Sequence, residues 1–236
     1  MKRLDGLDWL AAKQMGRRDL EQRALDAAAH GPDGGAILTI SRDYYCGGES
    51  LAKDLALRLG WRVYDKEIVE KIAADRSVET ENIKCLDERA YNFLQEWCNE
   101  VFLPGYTGQA AFMRGLVHVV MSIVRDGNAV VMGRGANFLV PESKRLAVRL
   151  TAPRAWRVEN YRRLVGAGAR EATHAIEQED TRRAEFVRRH FGRDPYDPLH
   201  YDVVINTEAM SSDAVQRMII TGLAARFGPR IVAARA

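Results

Sequence analysis

The segment from Ala36 to Ala52 constrains this chain more than any other. An aliphatic run, Ile37 to Ile40, passes through Ser41-Arg42-Asp43-Tyr44-Tyr45 into Cys46-Gly47-Gly48 and then into the helix-forming stretch that starts at Ser50. A strand that enters a helix through a glycine-bearing turn aims backbone N–H groups and a helix dipole at one point, the arrangement that holds a phosphate group. The signature GxxxxGK[ST] for such a loop places Gly first and Lys before the hydroxyl residue. Here those positions carry Asp43 and Glu49, and only Gly48 and Ser50 remain. The spacing predicts a phosphate cradle that has lost its usual cation.

The rest of the chain reads as alternating strands and helices. Ala129–Met132, Leu146–Leu150 and Val203–Ile205 are short and apolar on both faces, as buried parallel strands are. Trp61–Tyr64 is a weaker strand after a helix, Ser50–Leu59, that Gly60 ends. This pattern predicts a doubly wound α/β domain over residues 36–227, with its ligand beyond the carboxyl ends of the strands. Lys66 to Asp126 reads as a helical cap interrupted near Pro104-Gly105, in which Phe112, Leu116, Val119, Val120 and Ile123 have the spacing of a core-facing stripe. Residues 1–35 read as a helical extension and linker. It is either a solvated flank or a contact surface for a second copy of the chain. Residues 228–236 form a tail.

Charge and cysteine content narrow the function. A net charge of +3 suits anionic small molecules and makes no case for nucleic acid. Three cysteines without a CxxC pair indicate neither a disulfide framework nor a zinc site, and the absence of an apolar run of bilayer length argues against a membrane span. These features point to the cytoplasm. The five histidines share no metal-ligand spacing. Cys46, close to a helix N-terminus, is a candidate for a lowered pKa.

Several strings occur together and in one order: Thr39-Ile40-Ser41-Arg42, Tyr64-Asp65-Lys66-Glu67-Ile68, Asp87-Glu88-Arg89, Gly133-Arg134-Gly135-Ala136-Asn137-Phe138, Arg149-Leu150-Thr151-Ala152-Pro153, Phe191-Gly192, and Asp197-Pro198 ahead of Tyr201-Asp202-Val203. The set resembles the cytidylate-kinase-like family of P-loop nucleotide kinases over roughly residues 36–227. The resemblance implies a five-stranded parallel sheet flanked by helices, with a cap at about 66–127 and a lid at about 166–195. It implies transfer of the ATP γ-phosphoryl to a nucleoside monophosphate, CMP or dCMP, with Mg2+ as cofactor.

Under that reading Cys46, Gly47, Gly48, Glu49 and Ser50 hold the donor phosphates, and the Ser50 hydroxyl ligates magnesium. Asp65, Arg89 and Arg134 face the acceptor, although Asp65 also suits a helix N-cap and Arg89 a local pair with Asp87. Arg42 is the cation nearest the missing lysine, and Arg157, Arg182 and Arg183 gather round the transferring group. Met132 stands where related kinases carry a metal-positioning aspartate, so a second metal ligand is either missing or supplied elsewhere, by Asp43 or Asp65. Two further readings stay open: a non-catalytic nucleotide sensor or assembly module with a degenerate loop, and a kinase for another small acceptor.

Overall fold

The structure, a computed structural model, describes residues 35–65 and 107–232. The N-terminal helical extension, Arg89 and cap residues 66–106 lie outside those bounds.

Five strands form one parallel sheet: β1 (Ile37–Arg42), β2 (Arg62–Tyr64), β3 (Ala129–Met132), β4 (Arg145–Thr151) and β5 (Val203–Asn206), in the order β2-β3-β1-β4-β5. The helices are α1 (Gly48–Leu59), α2 (Thr107–Asp126), α3 (Ala136–Leu139), α4 (Arg154–Val165), α5 (Ala169–Phe191) and α6 (Ser212–Phe227). β1 lies at the centre. Its alternate side chains enter two separate cores, as expected for a strand covered on both faces. Leu38 and Ile40 pack with Leu51 and Leu55 of α1 and Ile219 and Leu223 of α6. Ile37 packs on the other face with Leu116, Val120 and Ile123 of α2 and with Phe191 of α5. The α2 stripe is core, as its spacing predicts: Leu116, Val119, Val120 and Ile123 are buried.

The two edge strands depart from the sequence expectation of uniform burial. Only Ile205 of β5 is buried and Val204 is 45% exposed, because the described residues cover one face of this last strand and leave the other to solvent. β2 spans three residues, none of them buried. Apolar composition marks these segments as strands but does not say whether a second layer covers them.

At the carboxyl end of β3, Gly133, Arg134 and Gly135 all have positive φ (74°, 52° and 65°). For Gly135 the reason is contact: a Cβ there would lie inside the Phe191 ring. The last residue of α5 therefore seats directly on the turn that carries Arg134. Gly135→Ala adds left-handed strain to a steric clash and is expected to cost about 2–4 kcal/mol. Denaturant unfolding of the variant checks this, with a matching drop in Tm.

Candidate functional site

The site is built on the loop between β1 and α1, and its defining property is what happens to the loop's carbonyl groups. Each one from Arg42 to Gly47 is bound by a donor of the protein. Arg42 O accepts from Arg183 Nη1 (3.1 Å), Tyr44 O from Arg157 Nη1 (3.2 Å), Tyr45 O from Asn160 Nδ2 (2.9 Å) and Cys46 O from Thr207 Oγ1 (2.7 Å). Asp43 O accepts from the Cys46 amide, and Gly47 O from the Ser50 hydroxyl and the Leu51 amide. With the acceptors turned into the scaffold, donors face outward. The amides of Gly47, Glu49 and Ser50 have no hydrogen-bond acceptor among the described residues, and α1 begins without a side-chain cap. Unsatisfied amides at the start of a 12-residue helix, in a region of positive potential, form an anion site. Gly48 is required by contact, since a Cβ would come within 3.0 Å of both Arg42 Cδ and Leu150 Cδ1.

Beneath the loop sits a buried ion pair. Asp43 accepts from Arg149 Nη2 (2.5 Å) with one carboxylate oxygen and from Thr151 Oγ1 (2.6 Å) with the other. Arg149 is 7% exposed and lies against the rings of Tyr196 and Tyr201. Both Asp43 oxygens are thus spent on the scaffold, which corrects the expectation that Asp43 could serve as a second metal ligand. Cys46 is corrected as well. Its thiol is buried and donates to Leu150 O, and burial pushes its pKa up to about 11, so helix-dipole activation does not prevail.

The long helix α5 closes over the loop. Asp180 accepts from the Tyr44 amide (3.0 Å) and from Arg157 Nη1 (2.6 Å). Arg157, 7% exposed, also donates to Ala152 O, so it clamps both the N–H side and the carbonyl side of Tyr44. Glu179 is held by Arg182 through Nε and Nη2 (2.7 and 2.8 Å) and by Arg183 Nε (2.8 Å). Burial raises the Glu179 pKa, but the hydrogen bonds from these two guanidiniums outweigh it and bring the carboxyl to about 2. Arg183 lies 5.0 Å over the Tyr44 ring.

Arg42 stands at the meeting point. Its guanidinium approaches Gly133, with Nη1 3.6 Å from where a Cβ on that glycine would be. Burial and the neighbouring Arg183 charge both lower its pKa, whereas Glu49 and Asp65 act to raise it. No described carboxylate forms an ion pair with it. Arg134 reaches inward from the β3 turn and stacks over the Phe186 ring of α5 at 4.6 Å.

Two cavities flank Arg42. One, about 420 Å3, runs along the loop and α1 and is lined by Tyr45, Gly47, Gly48, Ser50, Lys53 and Asn160 among others. The other, about 80 Å3, is bounded by Arg134, Arg149, Arg182, Phe186 and Tyr196. Arg42, Asp43 and Arg183 line both. The first is within the range of small-molecule sites, and the second is the narrower of the two.

Of the sequence-predicted residues that the structure describes, most are drawn together around Arg42, but in different states; Cys46 turns into the core, and Arg89 lies outside the described residues. Gly47, Gly48, Glu49 and Ser50 line the larger cavity, and Arg134 and Arg182 the smaller. Arg157 is committed to the Tyr44 clamp, and Asp65 lies just past β2, close enough for its charge to act on Arg42. Sequence reasoning missed Arg149 and the tyrosines 196 and 201, and it placed Glu179 and Asp180 only as acidic partners of the nearby arginines, which they are, without the contact of Asp180 with the Tyr44 amide. One signal for Arg149 was available: a guanidinium inside the apolar run Leu146–Leu150 must have a buried partner.

A fit test for magnesium gives a partial answer. The Ser50 hydroxyl gives its proton to Gly47 O and keeps lone pairs for a cation, with the Glu49 carboxylate adjacent and exposed. Among the described residues, no cluster of three or more His, Cys, Asp or Glu side chains could form a protein-only cage. That donor set suits an ion held mainly by ligand phosphates. No helix among the described residues is long and apolar enough to cross a membrane.

The comparisons with known proteins identify the family and the fold. The model of the cytidylate kinase-like family matches residues 37–209, so the chain belongs to that family and has its P-loop kinase fold. None of the curated proteins matches it. Among solved structures, an uncharacterized protein from Eubacterium ventriosum shares the fold with a TM-score of 0.64 at 19% identity, over 81% of this chain and 99% of that one. A gluconokinase from Sinorhizobium meliloti (TM-score 0.45, 14% identity, 81% and 93% coverage) is also similar. So is the YorR protein of Bacillus subtilis in complex with phosphorylated GDP (0.46, 11%, 80% and 95%).

Two outcomes follow from the charges. Asp43→Asn leaves Arg149 charged and buried without a counter-ion, and is expected to cost about 3–5 kcal/mol. Denaturant unfolding measures the loss, and Asp43→Asn combined with Arg149→Met should recover most of it. Glu179 has its folded pKa below the ordinary carboxylate value, so its contribution is present above pH 4.5 and is lost as the pH falls toward about 2. The Tm gap between the wild type and Glu179→Gln should therefore shrink across that window.

Proposed function

We propose that this member of the cytidylate kinase-like family is a phosphotransferase that moves the γ-phosphoryl of ATP to a nucleoside monophosphate, with CMP or dCMP as the first acceptors to test. The observation that carries the reading is the pair of cavities that meet at Arg42 and Arg183. Phosphoryl transfer requires a donor and an acceptor on opposite sides of one cationic point, in line, with water excluded.

In this reading the amides of Gly47, Glu49 and Ser50 bind the donor phosphates. Arg42 takes the place of the absent lysine, reaching the γ-phosphoryl from below because Gly48 lets its stem pass under the loop. Arg134 binds the acceptor phosphate bidentately, and Arg89, in the sequence next to Glu88, joins it. Arg182 and Arg183 take up charge that develops on the transferring oxygens by exchanging Glu179 for phosphate. Arg157 and Asp180 hold the loop in shape and keep α5 closed over it. Ser50, with Glu49 beside it, would hold Mg2+, which when bound neutralises the β- and γ-phosphate oxygens.

A second reading has a specific observation behind it. Glu179 already neutralises Arg182 and Arg183, and Glu49 stands in the first turn of α1 where a phosphate would lie. That combination suits a nucleotide-binding module that does not transfer. A coupled assay for ADP release, run with ATP and Mg2+ against a panel of nucleoside monophosphates, separates the two. The kinase reading expects acceptor-dependent release that saturates with one monophosphate. The binding-module reading expects ATP binding by calorimetry without release. Within the kinase reading, Arg182→Ala should lower kcat by roughly 100-fold while changing the ATP KM by less than about threefold.

A further inference from the structure

Tyr45 sits in a conformation that its side chain does not favour. Its φ is 59°, in the left-handed region, where a bulky residue is uncommon and strained. The scaffold nevertheless enforces that conformation. Asn160, 8% exposed, donates one amide hydrogen to Tyr45 O, and its own carbonyl accepts from Arg163, so the side chain is held in place against the turn. The neighbouring peptide is fixed by the Arg157 and Asp180 contacts on Tyr44.

What this places is an aromatic ring on the wall of the 420 Å3 cavity. The ring is not part of either core. It is braced from behind by Tyr161, with centroids 4.6 Å apart and planes at 57°, and edge-on by Tyr44 at 4.7 Å and 88°. The exposed side chain of Leu164 lines the same cavity and adds apolar surface to it. The cavity continues without interruption to Gly47, Gly48 and Ser50, where the open amides are. Open amides and an aromatic ring lining one cavity are the two surfaces that a nucleotide's phosphates and base require.

We infer that Tyr45 is the stacking surface for the base of the donor nucleotide, and that this site selects a purine by ring area rather than by hydrogen bonds to its edge. The inference rests on the donor-phosphate reading of the loop. Asn160, the amide side chain on the wall of the cavity, is engaged at both its nitrogen and its oxygen by Tyr45 O and Arg163, which favours stacking over edge recognition there. Stacking tolerates any base in proportion to its area. ATP and GTP should therefore bind alike, and CTP more weakly.

The test is equilibrium binding to the full chain in the presence of Mg2+, comparing ATP, GTP and base-free tripolyphosphate. The wild type is expected to bind ATP and GTP within about threefold of each other and roughly 10- to 100-fold tighter than tripolyphosphate. Tyr45→Ala should erase that preference and leave tripolyphosphate binding unchanged, whereas Tyr45→Phe should keep it. Tyr45→Gly, which removes the ring and also relieves the positive-φ strain, should behave as Tyr45→Ala in binding while remaining folded. A preference for ATP over tripolyphosphate that survives in Tyr45→Ala and Tyr45→Gly overturns the inference and leaves the phosphate loop standing. A tenfold or larger preference of ATP over GTP also overturns it, because that requires edge recognition. If the wild type binds none of the three, the phosphate-loop reading fails as well.

Discussion

The site depends on one constraint: the carbonyl groups of the β1–α1 loop are all held by the protein. A peptide unit presents a donor and an acceptor in opposite directions, so a loop attracts an anion only if its acceptors are disposed of elsewhere. In this chain two of the six carbonyls, those of Asp43 and Gly47, are held locally, and the donors to the other four come from α4, α5 and the residue after β5: Arg157 and Asn160, Arg183, and Thr207. Each of these four donors is remote in sequence from the loop. The short signature therefore carries only part of the information for a phosphate cradle. The rest is distributed over 160 residues of chain that must already be folded around it.

The same fact accounts for how the site works without a lysine in the loop. A P-loop lysine brings its charge from the helix itself, whereas here the corresponding position is Glu49 and the charge comes from the strand behind. Arg42 enters from the end of β1, and Gly48 leaves room for its stem. The Arg183 guanidinium is close enough to Arg42 to disfavour its charge, and Arg183 itself is ion-paired with Glu179. Arg42 has no described ion pair of its own. Its unbalanced charge, facing two cavities, is the strongest electrostatic reason for an anion to occupy this point.

Much of the fold was legible in the sequence, and the reason is periodicity. β3 was read to the residue, α1 ended at Gly60 as its left-handed conformation requires, and the α2 stripe proved to be core. These features are local, because strand composition, helix spacing and a C-terminal glycine act over a few residues. The buried network was not legible, because it is made of long-range pairs. Asp43 reads as an exposed loop acid and a candidate metal ligand until Arg149, 106 positions away, is known to sit beneath it. Cys46 reads as a helix N-terminal thiol until its side chain is seen to turn inward to Leu150. Glu179 and Asp180 look like the ordinary acidic partners of a charged helix. Glu179 is that within α5, while Asp180 reaches across to the loop.

That difference between adjacent carboxylates ties the position of α5 to the shape of the loop. Asp180 holds the Tyr44 amide, Arg183 holds Arg42 O, and Arg157 joins Asp180 to Tyr44 O, so any displacement of α5 releases at least two of the loop's backbone contacts. α5 supplies one wall of the smaller cavity through Glu179, Arg182, Ala184 and Phe186, the rest coming from the ends of β1 and β3, Arg149 and the 195–201 segment. Widening that cavity by displacing α5 would move the element that keeps the loop's acceptors satisfied. Enlarging it in this way and preserving the amide array of the other cavity are opposed demands on the same three contacts. The ion pairs of Glu179 lie within α5 itself and travel with it, so they oppose neither motion, and the resistance to opening comes from Asp180 and Arg183 alone among the polar contacts between α5 and the loop described here.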